Sequence, residues 1–318
     1  MNDERNQQGW KPDVLGAPFE MRHIEFESDY AGPARCTAVR LPLDGAHCGV
    51  LYVHGFSDYF FHAETAREFV GKGYAFYAVD LRRYGRSLQP GDEMFRVRDL
   101  REYFSDINAT IGLMKADGIR RIILLGHSTG GLTAALYMAG RPDSAVKALI
   151  LNSPFLTWNM PAAARRIGIP LIKRLHRIMP GLRIAADKTD RYARTLARHL
   201  EGEWEYNTDW KPDVLPPVSP EWIRAIDNAQ RSLSHAHISV PVLLLHSDRS
   251  ASAKDGADMN RRADAVLDVS TMAPAGRRLG PRVTDVTIAG GLHDLALSAA
   301  PVRRAYYDAI FNWLADIF

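Results

Sequence analysis

The sequence is poor in cysteine, with only two, Cys36 and Cys48, among 318 residues. Both fall on predicted strands that we expect to be neighbours, and a reducing compartment favours free buried thiols over a bridge. Histidines and cysteines nowhere cluster with the spacing of metal ligands. We therefore expect neither a disulfide nor a metal ion, and no motif indicates another cofactor.

Long apolar runs and an excess of one charge are also missing. No stretch is apolar for the length of a membrane span, and the polar residues 1–6 lack the apolar core of a signal peptide. Lysine and arginine number 40, and aspartate and glutamate 37, so the net charge of +3 is too small to indicate a nucleic-acid binder. These absences predict a cytoplasmic protein without a nucleic-acid partner and leave its oligomeric state open.

The sequence alternates between short apolar runs and amphipathic stretches. Near-continuous apolar strands are typical of a sheet covered on both faces, and their alternation with helices predicts βαβ units and a mainly parallel sheet. With 46% apolar and 24% charged residues, the composition is that of an ordinary globular protein. The predicted fold class is α/β, with strands near 49–53, 74–79, 120–125, 146–151, 240–245 and 283–288 and helices near 61–72, 99–117 and 301–317.

The alternation breaks between 155 and 236, in a stretch rich in proline, tryptophan and arginine. We expect residues 1–154 and 237–318 to form one core, with 155–236 as a cap inserted between two core strands. Within the cap, residues 162–183 carry apolar side chains at helical spacing, and Pro170 suits the start of a helix.

The helix expected in the cap has two interpretations. Residues 155–186 include six basic and no acidic side chains. In one interpretation the apolar side of the helix covers an acyl pocket and its basic side contacts anionic lipid. In the other, the helix packs on the core and its charged side faces solvent.

The most specific motif is the pentapeptide at 126–130, Gly-His-Ser-Thr-Gly. An apolar run precedes it and a helical stretch follows it, which predicts a strand, a sharp turn and a helix. In that setting the pattern forms a nucleophile elbow, whose strained turn exposes the serine hydroxyl above the sheet. Small residues are needed there because strand and helix approach closely. We expect Ser128 to be a nucleophile, the alternative being an ordinary strand-to-helix turn.

A serine hydroxyl needs a base that removes its proton, and a carboxylate must hold that base in one tautomer. On an α/β sheet with an elbow, the order along the chain is serine, acid, histidine. His293 lies in the segment 289–294, which directly follows the last predicted strand, in a loop where such a sheet places its working groups. We expect His293 to be the base and His127 to pack beside the elbow, next to the substrate.

Attack on an acyl carbon leaves an oxyanion, which needs two N–H donors of the backbone. Thr129, directly after the nucleophile, is expected to provide one of them. The loop after the strand at 49–53 begins with His54, Gly55 and Phe56. Gly55 lets the backbone approach the substrate, so Phe56 is expected to provide the second donor, with His54 and Gly55 beside the substrate.

The residues alone leave the acid undecided among three aspartates. Asp248 lies just beyond the strand at 240–245, where an acid-bearing turn is expected, but its surroundings look like the opening of a loop. Asp264 and Asp268 follow in a later segment. The local pattern does not choose among them.

Together these motifs resemble the α/β-hydrolase superfamily over most of the chain. The likeness is greatest to the monoacylglycerol-lipase or lysophospholipase branch, which is also described as serine aminopeptidase-like. It rests on the elbow, on Val-His-Gly-Phe at 53–56 and on the turn Asp-Leu-Arg-Arg-Tyr-Gly-Arg-Ser at 80–87, where Arg83 replaces a glycine of the family. The resemblance implies an α/β-hydrolase fold with an inserted helical cap. It matches Ser128 and His293 to the nucleophile and the base of the family.

The resemblance also ranks the candidate acids. In the family, the turn that carries the catalytic acid has the sequence His-Gly-x-x-Asp-x-Val-Val and follows a strand. Here Ser250 occupies the place of that aspartate. Asp-Ala-Val-Leu at 264–267 looks like the second half of the same motif. An insertion of about fifteen residues between strand and acid accounts for both observations. We therefore expect Asp264 to be the acid, with Asp248 second and Asp268 third.

These residues predict a serine hydrolase that cleaves carboxylic esters through an acyl-enzyme on Ser128. The expected substrate is a small-molecule acyl ester, either of monoacylglycerol or lysophospholipid type or with a small acyl group, and peripheral lipid would bind at the basic cap. Acyl transfer and cleavage at a peptide N-terminus use the same triad, so an acyltransferase and a serine aminopeptidase remain alternatives. A non-catalytic binding protein is a third alternative, since fold alone does not prove activity.

Overall fold

The computed structural model describes residues 9–140, 142–179, 181–185, 189–252 and 254–318. Within these ranges nine strands form one sheet in the order β1-β2-β3-β5-β4-β6-β7-β8-β9. The predictions for the N-terminus and the cap include some residues that lie outside the described ranges, namely the polar start at 1–6 and residues 180 and 186–188. The strands are β1 (Lys11–Pro12), β2 (Glu20–Asp29), β3 (Gly32–Leu41), β4 (Cys48–Val53), β5 (Ala75–Asp80), β6 (Arg121–His127), β7 (Val146–Asn152), β8 (Val242–Ser247) and β9 (Val283–Ile288).

The sheet begins antiparallel and becomes parallel. β1 pairs antiparallel with β2, β2 with β3 and β3 with β5. From β5 through β4, β6, β7 and β8 to β9, every pairing is parallel. β4, β5 and β8 are buried along their whole length, because the sheet is covered on both faces. The prediction of a mainly parallel α/β sheet is confirmed.

Helices and apolar cores lie on both faces of the sheet. The helices are α1 (Ala63–Gly71), α2 (Phe104–Ala116), α3 (Thr129–Ala139), α4 (Ala162–Ile178), α5 (Arg191–Leu196), α6 (Pro220–Leu233), α7 (Ala257–Asn260), α8 (Val269–Gly276) and α9 (Ala300–Ile317). One core contains Ile107 of α2 and Leu132 of α3. The other contains Phe69 of α1 and Ile310 of α9. In the described ranges, no helix has both the length and the apolar character that a membrane crossing requires.

The two cysteines do not lie on neighbouring strands, so that prediction is wrong. Cys36 lies on β3 and Cys48 on β4, and β5 runs between these two strands. The chain leaves β4, crosses through α1 and returns as β5, which pairs parallel with β4 and antiparallel with β3. Both thiols are buried, and burial raises the pKa of each.

Between β7 and β8 the chain forms α4, α5 and α6. α4 begins at Ala162 and continues through Pro170, so the prediction that Pro170 starts the helix is wrong. The alanines and arginines that precede the proline are strong helix formers, and the Arg165 N–H already donates to the Pro161 oxygen at 3.0 Å. The division into a core and a cap at 155–236 stays a prediction.

Candidate active site

Ser128 lies in a strained turn between β6 and α3. Its φ of 52° and ψ of −116° are backbone angles that residues with a side chain seldom adopt. A Cβ at Gly126 would lie 2.6 Å from the Gly130 oxygen, and a Cβ at Gly130 would lie 2.2 Å from the His54 oxygen. Both glycines are required by close backbone approach, as the pentapeptide predicts.

A chain of hydrogen bonds begins at Ser128. Its Oγ lies 3.0 Å from Nε2 of His293, and Nδ1 of His293 lies 3.0 Å from Oδ2 of Asp264. An ionised carboxylate only accepts hydrogen bonds, so Nδ1 carries the proton and Nε2 accepts from the hydroxyl. All three side chains are buried, Asp264 completely. The structure brings together the three residues expected to be nucleophile, base and acid.

Asp264 reaches this position because an excursion of the chain closes on itself. Ser250 and Asp264 form a parallel β-bridge. The Asp264 N–H donates to the Arg249 oxygen at 2.9 Å, and the Ala251 N–H donates to the Asp264 oxygen at 2.8 Å. The excursion 251–263 therefore leaves and returns at one point. This is the structural form of the insertion expected between strand and acid.

The other two candidate acids are engaged elsewhere. Asp248 accepts from the Gly290 N–H at 2.9 Å and pairs with Arg249. Burial is the largest single influence and raises the pKa of Asp248, but the hydrogen bonds from Arg249 and the Gly290 N–H, with the charge of Arg249, together outweigh it and lower the pKa. Asp268 caps α8 by accepting from the Ser270 N–H at 3.0 Å. Neither carboxylate is hydrogen-bonded to the histidine that Asp264 contacts.

The two expected oxyanion donors flank Ser128. A Cβ at Gly55 would lie 3.2 Å from the Ser128 Cβ, so the loop that carries Phe56 passes directly beside the serine. Thr129 is the first residue of α3, where an N–H has no partner within the helix. Among the described residues, no hydrogen bond engages the N–H of Phe56 or of Thr129. Both N–H groups are available to a substrate oxygen.

His54 and His127 are buried and bonded to the backbone. Nδ1 of His54 donates to the next carbonyl at 2.8 Å, and its Nε2 accepts from the Leu81 N–H at 3.0 Å. These two bonds leave no ring nitrogen of His54 for a substrate. His127 donates from Nδ1 to the Asn152 oxygen at 3.2 Å, and burial lowers its pKa to about 4. Its ring packs against His293, with 4.8 Å between the centroids.

Sequence reasoning missed a polar group that holds the loop of His293. Nδ2 of Asn152 donates to Oδ1 of Asp294 at 2.7 Å. The hydroxyl of Tyr192 accepts from the Asp294 N–H at 3.1 Å, and its ring lies 5.7 Å from that of His293. Asp294 could have been found from its place next to His293 in the sequence. Tyr192 comes from the segment between β7 and β8 and has no local signal.

A buried ion pair joins that same segment to the loop after β4. Nζ of Lys211 lies 2.9 Å from Oδ1 of Asp58. Burial is the largest single influence and raises the pKa of Asp58, but the ammonium of Lys211 and the nearby histidines together outweigh it, so the pKa is lowered. Among the described residues, Asp58, His127 and Asp294 have ligand atoms within 4.8 Å of one another, close enough for a metal ion. Because Lys211 already supplies the positive charge at Asp58, we assign no metal to this group.

Aromatic rings cover the loop that carries Phe56. The ring of Phe56 lies 4.7 Å from that of Trp222 on α6 and 5.1 Å from that of Phe95. Trp158 lies 6.3 Å from Trp222. Both tryptophans belong to the segment between β7 and β8, so that segment forms an aromatic wall over the loop that passes beside the serine.

Comparison with known proteins identifies one family. The family model described as serine aminopeptidase, S33, matches residues 46–270. A probable esterase PIR7A of Oryza sativa subsp. indica is 43% identical over 60 residues, which is 19% of this chain and 21% of that protein. Epoxide hydrolase 4 of Mus musculus is 31% identical over 107 residues, which is 33% of this chain and 28% of that protein. The chain therefore spans less than a third of either curated relative.

Solved structures match over nearly the whole chain. A soluble variant of monoglyceride lipase from Saccharomyces cerevisiae, in complex with a substrate analogue, matches with a TM-score of 0.67 and 17% identity, over 97% of this chain and 96% of that one. The monoacylglycerol lipase of Paleococcus ferrophilus matches with a TM-score of 0.60 and 20% identity, over 93% and 99%. At these identities the likeness shows the fold, and the expected α/β-hydrolase fold is confirmed.

Proposed function

The chain belongs to the family described as serine aminopeptidase, S33, and is a hydrolase of the α/β fold; we propose that it cleaves carboxylic esters through an acyl-enzyme on Ser128. The observation that carries the proposal is the pair of 3.0 Å hydrogen bonds from Ser128 through His293 to Asp264. A serine hydroxyl is a weak nucleophile at neutral pH, and a histidine oriented by a buried carboxylate is the base that activates it.

In the proposed reaction, Ser128 Oγ bonds to the carbonyl carbon while its proton moves to Nε2 of His293. The N–H groups of Phe56 and Thr129 donate to the oxyanion that forms. The ester C–O bond then breaks, and His293 returns the proton to the leaving alcohol. Water gives a proton to His293 and attacks the acyl carbon, and release of the carboxylic acid restores the serine hydroxyl. Asp264 holds His293 in the required tautomer throughout.

The substrate we propose is an ester with an apolar acyl group, of monoacylglycerol or lysophospholipid type. The aromatic wall of Phe56, Trp158 and Trp222 supports this class because it would bury acyl carbons beside the serine. Each buried methylene contributes about 0.8 kcal/mol. The structural relatives named as monoglyceride and monoacylglycerol lipases support the same class.

Labelling with a fluorophosphonate tests the nucleophile. We expect the wild type to be labelled and Ser128→Ala to remain unlabelled. Ser153→Ala, which removes another buried serine at the same edge of the sheet, is the control and should be labelled like the wild type. Equal labelling of Ser128→Ala and wild type would reject the proposal. Acetate, octanoate and palmitate esters of p-nitrophenol, compared with aminoacyl anilides, then separate an esterase from an aminopeptidase.

A further inference from the structure

Tyr192 on α5 contacts the loop of the histidine base at two points. Its hydroxyl accepts from the Asp294 N–H at 3.1 Å, and its ring packs edge-on against that of His293, with 5.7 Å between the centroids. The bonded N–H belongs to the peptide unit that joins His293 to Asp294. A movement of this peptide unit therefore moves the imidazole with it.

The segment between β7 and β8 holds the same loop at further points. Nε1 of Trp204 donates to the Leu297 oxygen at 2.9 Å. Leu292, which precedes His293, belongs with Leu297 to a small apolar cluster, and the rings of Tyr192 and Trp204 pack against this cluster. The loop that carries the base is therefore held on both sides of the histidine by side chains of another segment.

The residue before Tyr192 contacts the chain beside the acid. Arg191 donates to the Ala265 oxygen at 3.0 Å, and Ala265 directly follows Asp264. Consecutive residues of α5 therefore contact the chain beside the acid and the loop of the base. Since the histidine and the aspartate are 29 residues apart in the sequence, their alignment depends on such contacts between separate pieces of backbone.

The hydroxyl of Tyr192 has no ready substitute. Asp294 is only 1% exposed, so its N–H would stay buried and unpaired without the hydroxyl, which is unfavourable. A shift of the peptide unit at 293–294 would relieve this. Burial raises the pKa of Tyr192 well above its ordinary value, and the carboxylates of Asp294 and Asp58 act in the same direction. The hydroxyl is therefore neutral at neutral pH.

We propose that Tyr192 is a positioning residue, which aligns the imidazole of His293 between Ser128 and Asp264. The inference rests on the function proposed above, because His293 is the base of that reaction. Proton transfer needs both 3.0 Å hydrogen bonds of the imidazole at once. A small displacement of the loop lengthens at least one of them, and a misplacement of about 1 Å can cost about 100-fold in rate.

The rate of fluorophosphonate labelling tests the proposal, because it measures activation of the serine whatever the class of ester. Tyr192→Phe loses only the hydroxyl and should be labelled about tenfold more slowly than the wild type. Tyr192→Leu also loses the ring and should be labelled about 100-fold more slowly. Tyr206→Phe is the matched control, since its hydroxyl is bonded to Asp213 within the same segment, and it should be labelled at the rate of the wild type. Thermal unfolding shows that each variant is folded.

Steady-state kinetics with a p-nitrophenyl ester separates positioning from substrate binding. In Tyr192→Phe we expect kcat to fall about tenfold while KM stays within about twofold of the wild type, because an aligned base matters in the transition state. A raised KM with an unchanged kcat would place the hydroxyl in substrate binding and overturn the proposal.

The proton between His293 and Asp264 gives a readout that needs no activity. A proton in a charge-assisted hydrogen bond of this kind resonates far downfield in the NMR spectrum, and Asp264→Asn identifies the resonance by its loss. We expect this resonance to shift or broaden in Tyr192→Phe and to be unchanged in Tyr206→Phe.

Failure of the proposed function and failure of this inference give different results. A wild type without Ser128-dependent labelling would reject the proposed function, and the resonance would then decide the role of Tyr192. An unchanged labelling rate or an unchanged resonance in Tyr192→Phe overturns the positioning role. An equal loss in Tyr206→Phe also overturns it, because the effect would then be general to the segment.

Discussion

Nε2 of His127 lies 3.8 Å from Oδ2 of Asp294, too far for a hydrogen bond. That carboxylate oxygen is buried and has no partner among the described residues. His127 instead donates from Nδ1 to the Asn152 oxygen, and burial lowers its pKa to about 4. A neutral imidazole therefore packs behind His293.

Mild acid should destabilise the protein through His127. Its pKa is about 4 in the fold against 6.5 in the unfolded chain, so the unfolded chain takes up a proton first as the pH falls. The contribution of His127 to the free energy of unfolding is complete above its pKa in the unfolded chain. Below that pKa the contribution is lost at about 1.4 kcal/mol per pH unit. The free energy of unfolding falls between neutral pH and pH 5, and we expect this fall to be about 2 kcal/mol smaller in His127→Gln than in the wild type.

Urea unfolding at the two pH values measures this difference. His235→Gln, which replaces an exposed histidine, should keep the pH dependence of the wild type. Asp58 also has a lowered pKa, and a lowered carboxyl pKa removes stability only at pH values below this window. Equal pH dependence in His127→Gln and wild type would contradict the assignment to His127.

Asp264→Asn should lower ester turnover by about 10⁴-fold, because the histidine loses the group that fixes its tautomer. Oδ1 of Asp264 accepts from the N–H groups of Val266 and Leu267 at 2.8 and 2.7 Å, and an asparagine oxygen can keep both bonds. The kcat for a p-nitrophenyl ester should fall without a change in Tm. Asp248→Asn serves as the control and should stay close to the wild type. The opposite ranking would assign the acid to Asp248.

Lys211→Met should destabilise the fold by about 3–5 kcal/mol, because it leaves the carboxylate of Asp58 buried without its cation. Both side chains are buried. Among the described residues, Lys211 is the ion-pair partner of Asp58, at 2.9 Å. Urea unfolding of Lys211→Met, Asp58→Asn and the double variant forms a cycle. The double variant should recover much of the loss, and simple additivity of the two losses would show that the pair is not coupled.

We expect the lipid contact predicted for the cap to form at exposed apolar residues of α4. Ile167 is 72% and Leu171 57% exposed, one helical turn apart, and exposed Arg166 and Arg174 lie on the same helix. Such a surface binds an anionic interface through apolar insertion and basic attraction. Leu171→Ser should reduce cosedimentation with anionic vesicles severalfold. Val14→Ser, which replaces another exposed apolar residue outside α4 (70%), should not, and an equal loss in both would argue against this surface.

The residues that could be predicted from the sequence are those whose requirements are local. The elbow at Ser128 needs only a strand, small neighbours and a helix, and all of these occur within one short segment. His293 was predicted because it lies in the loop that directly follows the last strand. Asp264 could be ranked only by likeness to a family, because its position depends on a bridge to Ser250 that closes the excursion 251–263.

The contacts that could not be predicted depend on the path of the segment between β7 and β8. Lys211 meets Asp58, and Tyr192 meets His293, across long separations in the sequence. Helical periodicity says which residues share a side of a helix, but it does not say where that side packs. The prediction that the strands of Cys36 and Cys48 are neighbours failed for the same reason, since nothing local indicates that β5 inserts between β3 and β4.

The strain at Ser128 belongs to a wider pattern. In the described chain, five non-glycine residues have positive φ, and all of them follow the carboxyl ends of β4, β5, β6 or β7: Ser57, Arg83, Phe95, Ser128 and Ser153. Each such conformation costs of order 1 kcal/mol, which the packing of the sheet offsets. We therefore expect local stability against thermal unfolding to differ between these loops and the sheet. On heating, the loops at the carboxyl ends of β4–β7 should lose their native conformation while the sheet is still folded. Activity should therefore disappear below the temperature at which the sheet unfolds.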